Sequence, residues 1–203
     1  MSLEVRPTWN PLELPPAPVR RFTVEEYHRM IEAGILGPND RVELLEGWIV
    51  EMSPQNPPHR LSVTLASDAL RKILPPGWEV DTELPVTLED SEPEPDVSVV
   101  QGPRRRYTER KPGPADIALL VEVADTTLLD DRRIKCPLYA RAQIAMYWII
   151  NLPESKIEVY SQASAVHGSW RYDRRDDYSI ADAVPVVIEG REVGRISVRE
   201  LLP

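Results

Sequence analysis

An α/β fold, with a mixed central sheet flanked by helices and additional C-terminal strands, is predicted by three features of the sequence. Residues 117–123 form the most continuously apolar run in the chain, as a central strand covered on both faces requires. A helical stretch ending near Ala142 separates that run from a second buried strand pattern at residues 144–150. Strand, crossover helix and strand in this order predict a right-handed parallel crossover. Twenty-one prolines punctuate the chain too densely for an all-helical bundle.

The 203 residues suit one domain with a sizeable core, and the 42% apolar and 28% charged fractions are those of a globular protein. Cys136 is the single cysteine, so no internal disulfide is available. No apolar run approaches the roughly 18 residues of a membrane span, and the N-terminus lacks the basic-then-apolar order of a signal peptide. A cytoplasmic protein with no membrane partner is expected. The net charge of −9 opposes long-range attraction to nucleic acid, which leaves a local basic patch as the route to such a partner.

Along the chain, residues 1–20 carry Pro7, Pro11, Pro15, Pro16 and Pro18 without apolar periodicity and read as an extended or disordered arm; the domain occupies 21–203. Thr23 and Glu26 form a capping box ahead of Val24, Tyr27, Met30 and Ile31 at helical spacing. Val42-Glu43-Leu44-Leu45 and Trp48-Ile49-Val50-Glu51-Met52 flank Glu46-Gly47 as a hairpin, with Glu43 and Leu45 on one face and Leu44 on the other. Pro57-Pro58 open a helix whose apolar stripe reads Leu61, Leu65, Ala69, Leu70 and Ile73. His59 then lies about 200° from Leu61, at the helix start, and either faces a cleft or stands partly exposed without a chemical role.

Residues 78–88 read as one or two strands with Pro85 at an edge or bulge, and Val97-Ser98-Val99-Val100 as a short strand. Residues 156–160, 169–172 and 184–188 read as short strands, and Ser197 with Glu200 as the cap of a final helical turn.

Chemistry concentrates between residues 94 and 135. Asp96 opens one strand and Glu122 sits near the end of the buried one, so neighbouring strands would bring two carboxylates to one sheet edge. With the carbonyl of Val123 and several waters, such hard oxygen ligands suit Mg²⁺, or Mn²⁺ in its place. Glu122 interrupts the apolar run, where an unpaired charge is costly. Ile134, Lys135, Leu138, Tyr139 and Ala142 share a helical face, which puts Lys135 on the inward stripe and in need of a partner. Pro137 either disturbs this helix or marks its first turn. A lysine beside a carboxylate-held metal can orient the attacking water or stabilise charge on a phosphorane.

These residues carry a resemblance. Pro95-Asp96, Glu122-Val123-Ala124, Lys135 with Pro137-Leu138-Tyr139-Ala140-Arg141-Ala142, and Tyr147-Trp148-Ile149-Ile150 are similar to the pattern of the Uma-type family of restriction-endonuclease-like proteins, within the PD-(D/E)XK nuclease superfamily. The likeness extends upstream through residues 42–47, Met52-Ser53-Pro54 and His59. It implies a restriction-endonuclease-like core with Asp96 and Glu122 as metal ligands and Glu43 as a further acidic member. The superfamily's lysine two residues after the glutamate is replaced here by Ala124, and the resemblance implies Lys135 as its substitute.

The loop at 104–111 carries five cations, Arg104, Arg105, Arg106, Arg110 and Lys111, against Glu109 alone. It reads either as a receiver of phosphates beside the metal site or as a solvated charge run. No Gly-x-Ser-x-Gly elbow, phosphate-cradling loop or dinucleotide turn is present, and His28, His59 and His167 are too scattered for a zinc site. Three readings follow: a Mg²⁺-dependent DNA endonuclease, a nuclease fold kept as an interaction module, and a buried structural salt bridge. By analogy with duplex nucleases a homodimer is expected.

Overall fold

The computed structural model describes residues 19–203; the proline-rich arm falls outside the described residues except for its last two positions. The chain enters through α1 (Val24–Glu32), where Thr23 accepts from the Glu26 backbone and the Glu26 side chain returns to the Thr23 N–H, the predicted capping box. β1 (Val42–Leu45) and β2 (Trp48–Glu51) form an antiparallel hairpin. Its two turn residues, Glu46 at φ 48° and Gly47 at φ 78°, take the left-handed pair that matches hairpin twist. Gly47 also has no room for a side chain, because a Cβ there would lie 2.5 Å from that of Arg21.

α2 (Pro57–Ile73) starts on Asn56, whose side chain accepts from the His59 N–H, with proline in the first turn as expected. Its buried face differs from the predicted stripe. Leu61 is 47% exposed, while Val63, Ala66, Ala69 and Leu70 are buried with Ser62 and Ser67. The small polar residues are inside because Ser62 donates to the Leu201 carbonyl and Ser67 to that of Thr64, so their hydroxyls are satisfied. With the stripe rotated in this way, His59, Val63, Ala66 and Leu70 follow one line along the helix, and His59 turns inward.

Six strands make the central sheet in the order β3-β4-β5-β6-β7-β8. These are β3 (Trp78–Thr82), β4 (Val97–Gln101), β5 (Ile117–Ala124), β6 (Met146–Asn151), β7 (Lys156–Val166) and β8 (Ser169–Ser179). Only β5 and β6 pair in parallel, joined by α3 (Leu128–Asp130), a π-helical turn (Asp131–Lys135) and α4 (Cys136–Arg141). β5 is buried at every position, as its composition demanded. Pro137 falls in the first turn of α4, where its missing N–H costs nothing.

β9 (Ala183–Ile188) and β10 (Arg191–Ser197) form a second, separate hairpin. Of the one or two strands expected over residues 78–88 there is one, which stops before Pro85. Two expectations need correction: β7 and β8 run for 11 residues each, and Ser197, although it precedes the final turn Val198–Glu200, makes no side-chain cap; β10 has no counterpart in the sequence reading.

The sheet has two apolar layers. Leu119, Val121 and Val123 pack with α2 residues Val63 and Leu70 and with Val184 and Ile196, whereas Leu120 and Ala124 pack with Leu138 and Tyr139 of α4. The period of two along β5 therefore turns Glu122 toward the crossover helix. Among the described residues no helix is long and apolar enough to cross a membrane.

Candidate active site

Antiparallel pairing of β4 with β5 sets Val97 against Val121, which places Asp96 across from Glu122 one step further along. Asp96 is fixed there because its Oδ2 accepts from the Val123 N–H at 2.7 Å, and His59 Nε2 stands 3.1 Å from the same oxygen. Glu122 Oε1 receives Lys135 Nζ at 3.0 Å and the Tyr139 hydroxyl at 2.7 Å. Lys135 also lies 3.4 Å from Glu43 Oε1, and Glu43 Oε2 accepts from the Glu94 N–H at 3.1 Å. The structure thus brings Glu43, His59, Asp96, Glu122 and Lys135 to one cleft of about 150 Å³, whose lining also includes Val123 and Asp131.

Four buried or nearly buried acids, Glu43, Asp96, Glu122 and Asp131, surround the single ammonium of Lys135. Burial works against the charge on Lys135, but the four carboxylates outweigh it and hold the lysine protonated well above its ordinary range. Burial lifts Glu122 well above the usual carboxylate range, with Lys135 opposing the shift and Asp96 adding to it. Burial likewise raises Asp131 to about 6, against the pull of Lys135 and a hydrogen bond from Thr127. His59 rises because the hydrogen bond and charge of Asp96 exceed the cost of its burial.

This excess of negative charge is the feature a divalent cation would answer. Asp96 Oδ2 and Glu122 Oε1 are occupied by protein donors, which leaves Asp96 Oδ1 and Glu122 Oε2 as the hard oxygens without a donor among the described residues. Among the described residues no group of three or more His, Cys, Asp or Glu side chains is placed so that it could hold a metal ion by itself. A closed zinc or calcium cage is therefore not what this donor set resembles; one or two carboxylates with retained waters is the habit of Mg²⁺.

One residue beside the predicted ones escapes the sequence reading: Asp131 lies four before Lys135 and continues the inward helical face, so extending that face by one turn toward the N-terminus is the available signal, whereas Tyr139 is on the face as read but carries no site role there. The π-helical turn that holds Asp131 and Lys135 gave no sequence signal.

The basic loop leaves from the far end of β4, a five-residue strand, and none of its cations contributes to the cleft lining, although the charge of Lys111 at the loop's end acts on the lining residue Glu94. Arg104 pairs with Glu79 and Asp81, Arg106 and Arg110 with Asp116, and Lys111 with Glu92; Arg105 remains exposed. An antiparallel hairpin puts its connecting loop at the end opposite the strand termini that carry Asp96 and Glu122.

No curated protein matches the chain. Among solved structures it is similar to a protein from Anabaena variabilis described as "a putative nuclease belonging to DUF820", with 17% identity, a TM-score of 0.64, and coverage of 89% of this chain and 97% of that one. At that identity the likeness shows a shared fold. The family model Uma2, described as "Putative restriction endonuclease", matches residues 24–190, and on the extent of that match the chain belongs to the Uma2 family.

Proposed function

We propose that the protein is a Mg²⁺-dependent endonuclease that hydrolyses phosphodiester bonds in DNA. The observation that carries this reading is the Lys135 ammonium, 3.0 Å from Glu122 in a carboxylate-lined cleft, in a chain whose family is described as restriction-endonuclease-like. Asp96 and Glu122, with the Val123 carbonyl, would hold the cation, which supplies Lewis acidity and a more acidic bound water.

The protein's own groups do the rest. Lys135 is protonated, so it serves as a donor to a non-bridging phosphate oxygen and not as a base. Tyr139 and Lys135 share Glu122 Oε1 and fix that carboxylate's orientation. Val123 and His59 do the same for Asp96. Glu43 keeps the ammonium from swinging out along its long stem.

A second reading, an interaction module without turnover, is favoured by the charge of −9 and by the carboxylate pairing of most of the basic loop. Incubation of supercoiled, linear and single-stranded DNA with Mg²⁺ or Mn²⁺ separates the two. Cleavage by the wild type and its loss in Asp96→Ala and Lys135→Ala supports the endonuclease. Equal residual cleavage by all three proteins rules out this active site, and no cleavage of any substrate favours the module.

A further inference from the structure

A second cavity of about 690 Å³ opens beside the carboxylate cleft, between α1, the α1–β1 connection and the end of β2. The two share Arg41, Met52, Gln55, Glu94 and Asp96 in their linings, so they adjoin. Its volume is within the roughly 300–1,000 Å³ of small-molecule sites. Ile31, 43% exposed on α1, contributes an apolar wall together with Leu36 and Met52. Arg41 is exposed at the junction of the cavities and has no ion-pair partner among the described residues. Its backbone is nonetheless rigidly placed, since its carbonyl accepts from the Met52 N–H at 2.8 Å.

We propose that this groove is a subsite for one unpaired nucleotide of the substrate strand, with the phosphate held by Arg41 and the base lying against Ile31, Leu36 and Met52. The identity of the neighbouring site as a nuclease centre is taken from the endonuclease reading above. The groove's carboxylates, Asp40, Glu83, Glu94 and Asp96, make it a poor track for successive phosphates. Carboxylates accept hydrogen bonds from the exocyclic amino groups of bases, however; a duplex displays one N–H of each in a groove, but only an unpaired base offers its whole Watson–Crick edge and can enter a cavity of this size. A single cation, apolar walls and hydrogen-bond acceptors in one cavity match one nucleotide, its phosphate on the cation and its base against the wall. The rest of the surface agrees, because Arg104, Arg106, Arg110 and Lys111 are taken up by acidic partners and offer duplex DNA few phosphate contacts.

Fluorescence anisotropy of a labelled single-stranded DNA oligonucleotide and of its duplex tests the subsite. Ca²⁺ replaces Mg²⁺ in the buffer, to neutralise the carboxylates while slowing cleavage. The wild type is expected to bind the single strand more tightly than the duplex. Arg41→Ala should weaken single-strand binding by about tenfold, the loss of one charge-assisted phosphate contact. Ile31→Glu, at an exposed position that the fold tolerates, should weaken it comparably, and Arg41→Lys should restore part of the loss. Equal or tighter binding of the duplex, or single-strand binding indifferent to both Arg41→Ala and Ile31→Glu, overturns the proposal. Cleavage is scored separately in Mg²⁺: single-strand binding that depends on Arg41 supports the subsite whether or not the strand is cut, while absence of cutting counts against the endonuclease alone.

Discussion

Lys135 Nζ reaches Glu122 Oε1 at 3.0 Å from the crossover helix, while Ala124, two residues beyond Glu122 on the strand, is buried and presents no polar group. The ammonium that strand β5 lacks is thus delivered through tertiary packing. Its surroundings are asymmetric: the one ammonium lies among four acids, of which Glu43 and Glu122 contact it directly while Asp96 is paired with His59.

That asymmetry sets the order of mutational damage. Lys135→Met leaves buried carboxylates without a cation and is expected to cost about 3 kcal/mol of stability in urea unfolding, the scale for breaking a buried pair. Glu122→Gln should cost much less, because burial already disfavours its charge and Glu43 and Asp131 remain for the lysine. A larger loss for Glu122→Gln than for Lys135→Met would contradict this account. In the cleavage assay Lys135→Met should lower kcat/KM by about 10²–10³-fold, as expected for one lost donor to transition-state charge.

Mg²⁺ should stabilise the fold, because it offsets repulsion among the cleft carboxylates. At a concentration 100 times its Kd, mass action gives about 2.7 kcal/mol. Thermal unfolding in Mg²⁺ and in EDTA should show a rise in Tm for the wild type that shrinks or vanishes in Asp96→Asn. An identical Mg²⁺ effect in the variant would place the cation elsewhere.

Asp131 predicts a pH dependence of definite sign. Its native pKa of about 6 exceeds the reference 3.8, so between these values the native state holds more protons than the unfolded state. Stability from this residue is therefore present at low pH and falls as pH rises toward 6, by on the order of 3 kcal/mol at full ionisation. Asp131→Asn, which can still accept from Thr127, should be flatter over pH 4–6 and more stable than wild type above it in metal-free buffer. A variant with the wild-type slope would show that another group titrates there.

Glu158 on β7 is fully buried and accepts from Arg132, Asn151 (2.8 Å) and Tyr160 (2.7 Å), with Arg175 at 3.3 Å. Because Arg132 follows Asp131 in the π-helical turn, this cluster ties the turn to the sheet. Glu158→Ala should cost about 3 kcal/mol or more and lower kcat by loosening Lys135, although it touches no cleft residue. Full activity in a destabilised Glu158→Ala would detach the clamp from the site.

Local patterns carried much of the fold. The capping box at Thr23, the hairpin around Glu46-Gly47 and the buried run of β5 all depend on neighbours within a few residues, and each lies where it was read. The stripe on α2 was misread because Leu61 is apolar yet exposed, whereas Ser62 and Ser67 are polar yet satisfied by carbonyls. β7 and β8 were read too short because alternation with charged residues, as in Arg171, Asp173 and Arg175, looks like polar turns when the partner strand is unknown. Lys135 facing inward was legible from helical spacing; the inclusion of Asp131 and Arg41 in the same depression was not.

By itself the sequence determined most of the strands and helices, which carboxylates end strands, and that Lys135 required an acidic partner, since these follow from periodicity and the cost of burying charge. Tertiary structure alone decided which charges meet. It set Glu43 and Glu122 against Lys135, and it kept the cations of the basic loop out of the cleft lining. Pairing register and helix docking act over separations that no local pattern encodes.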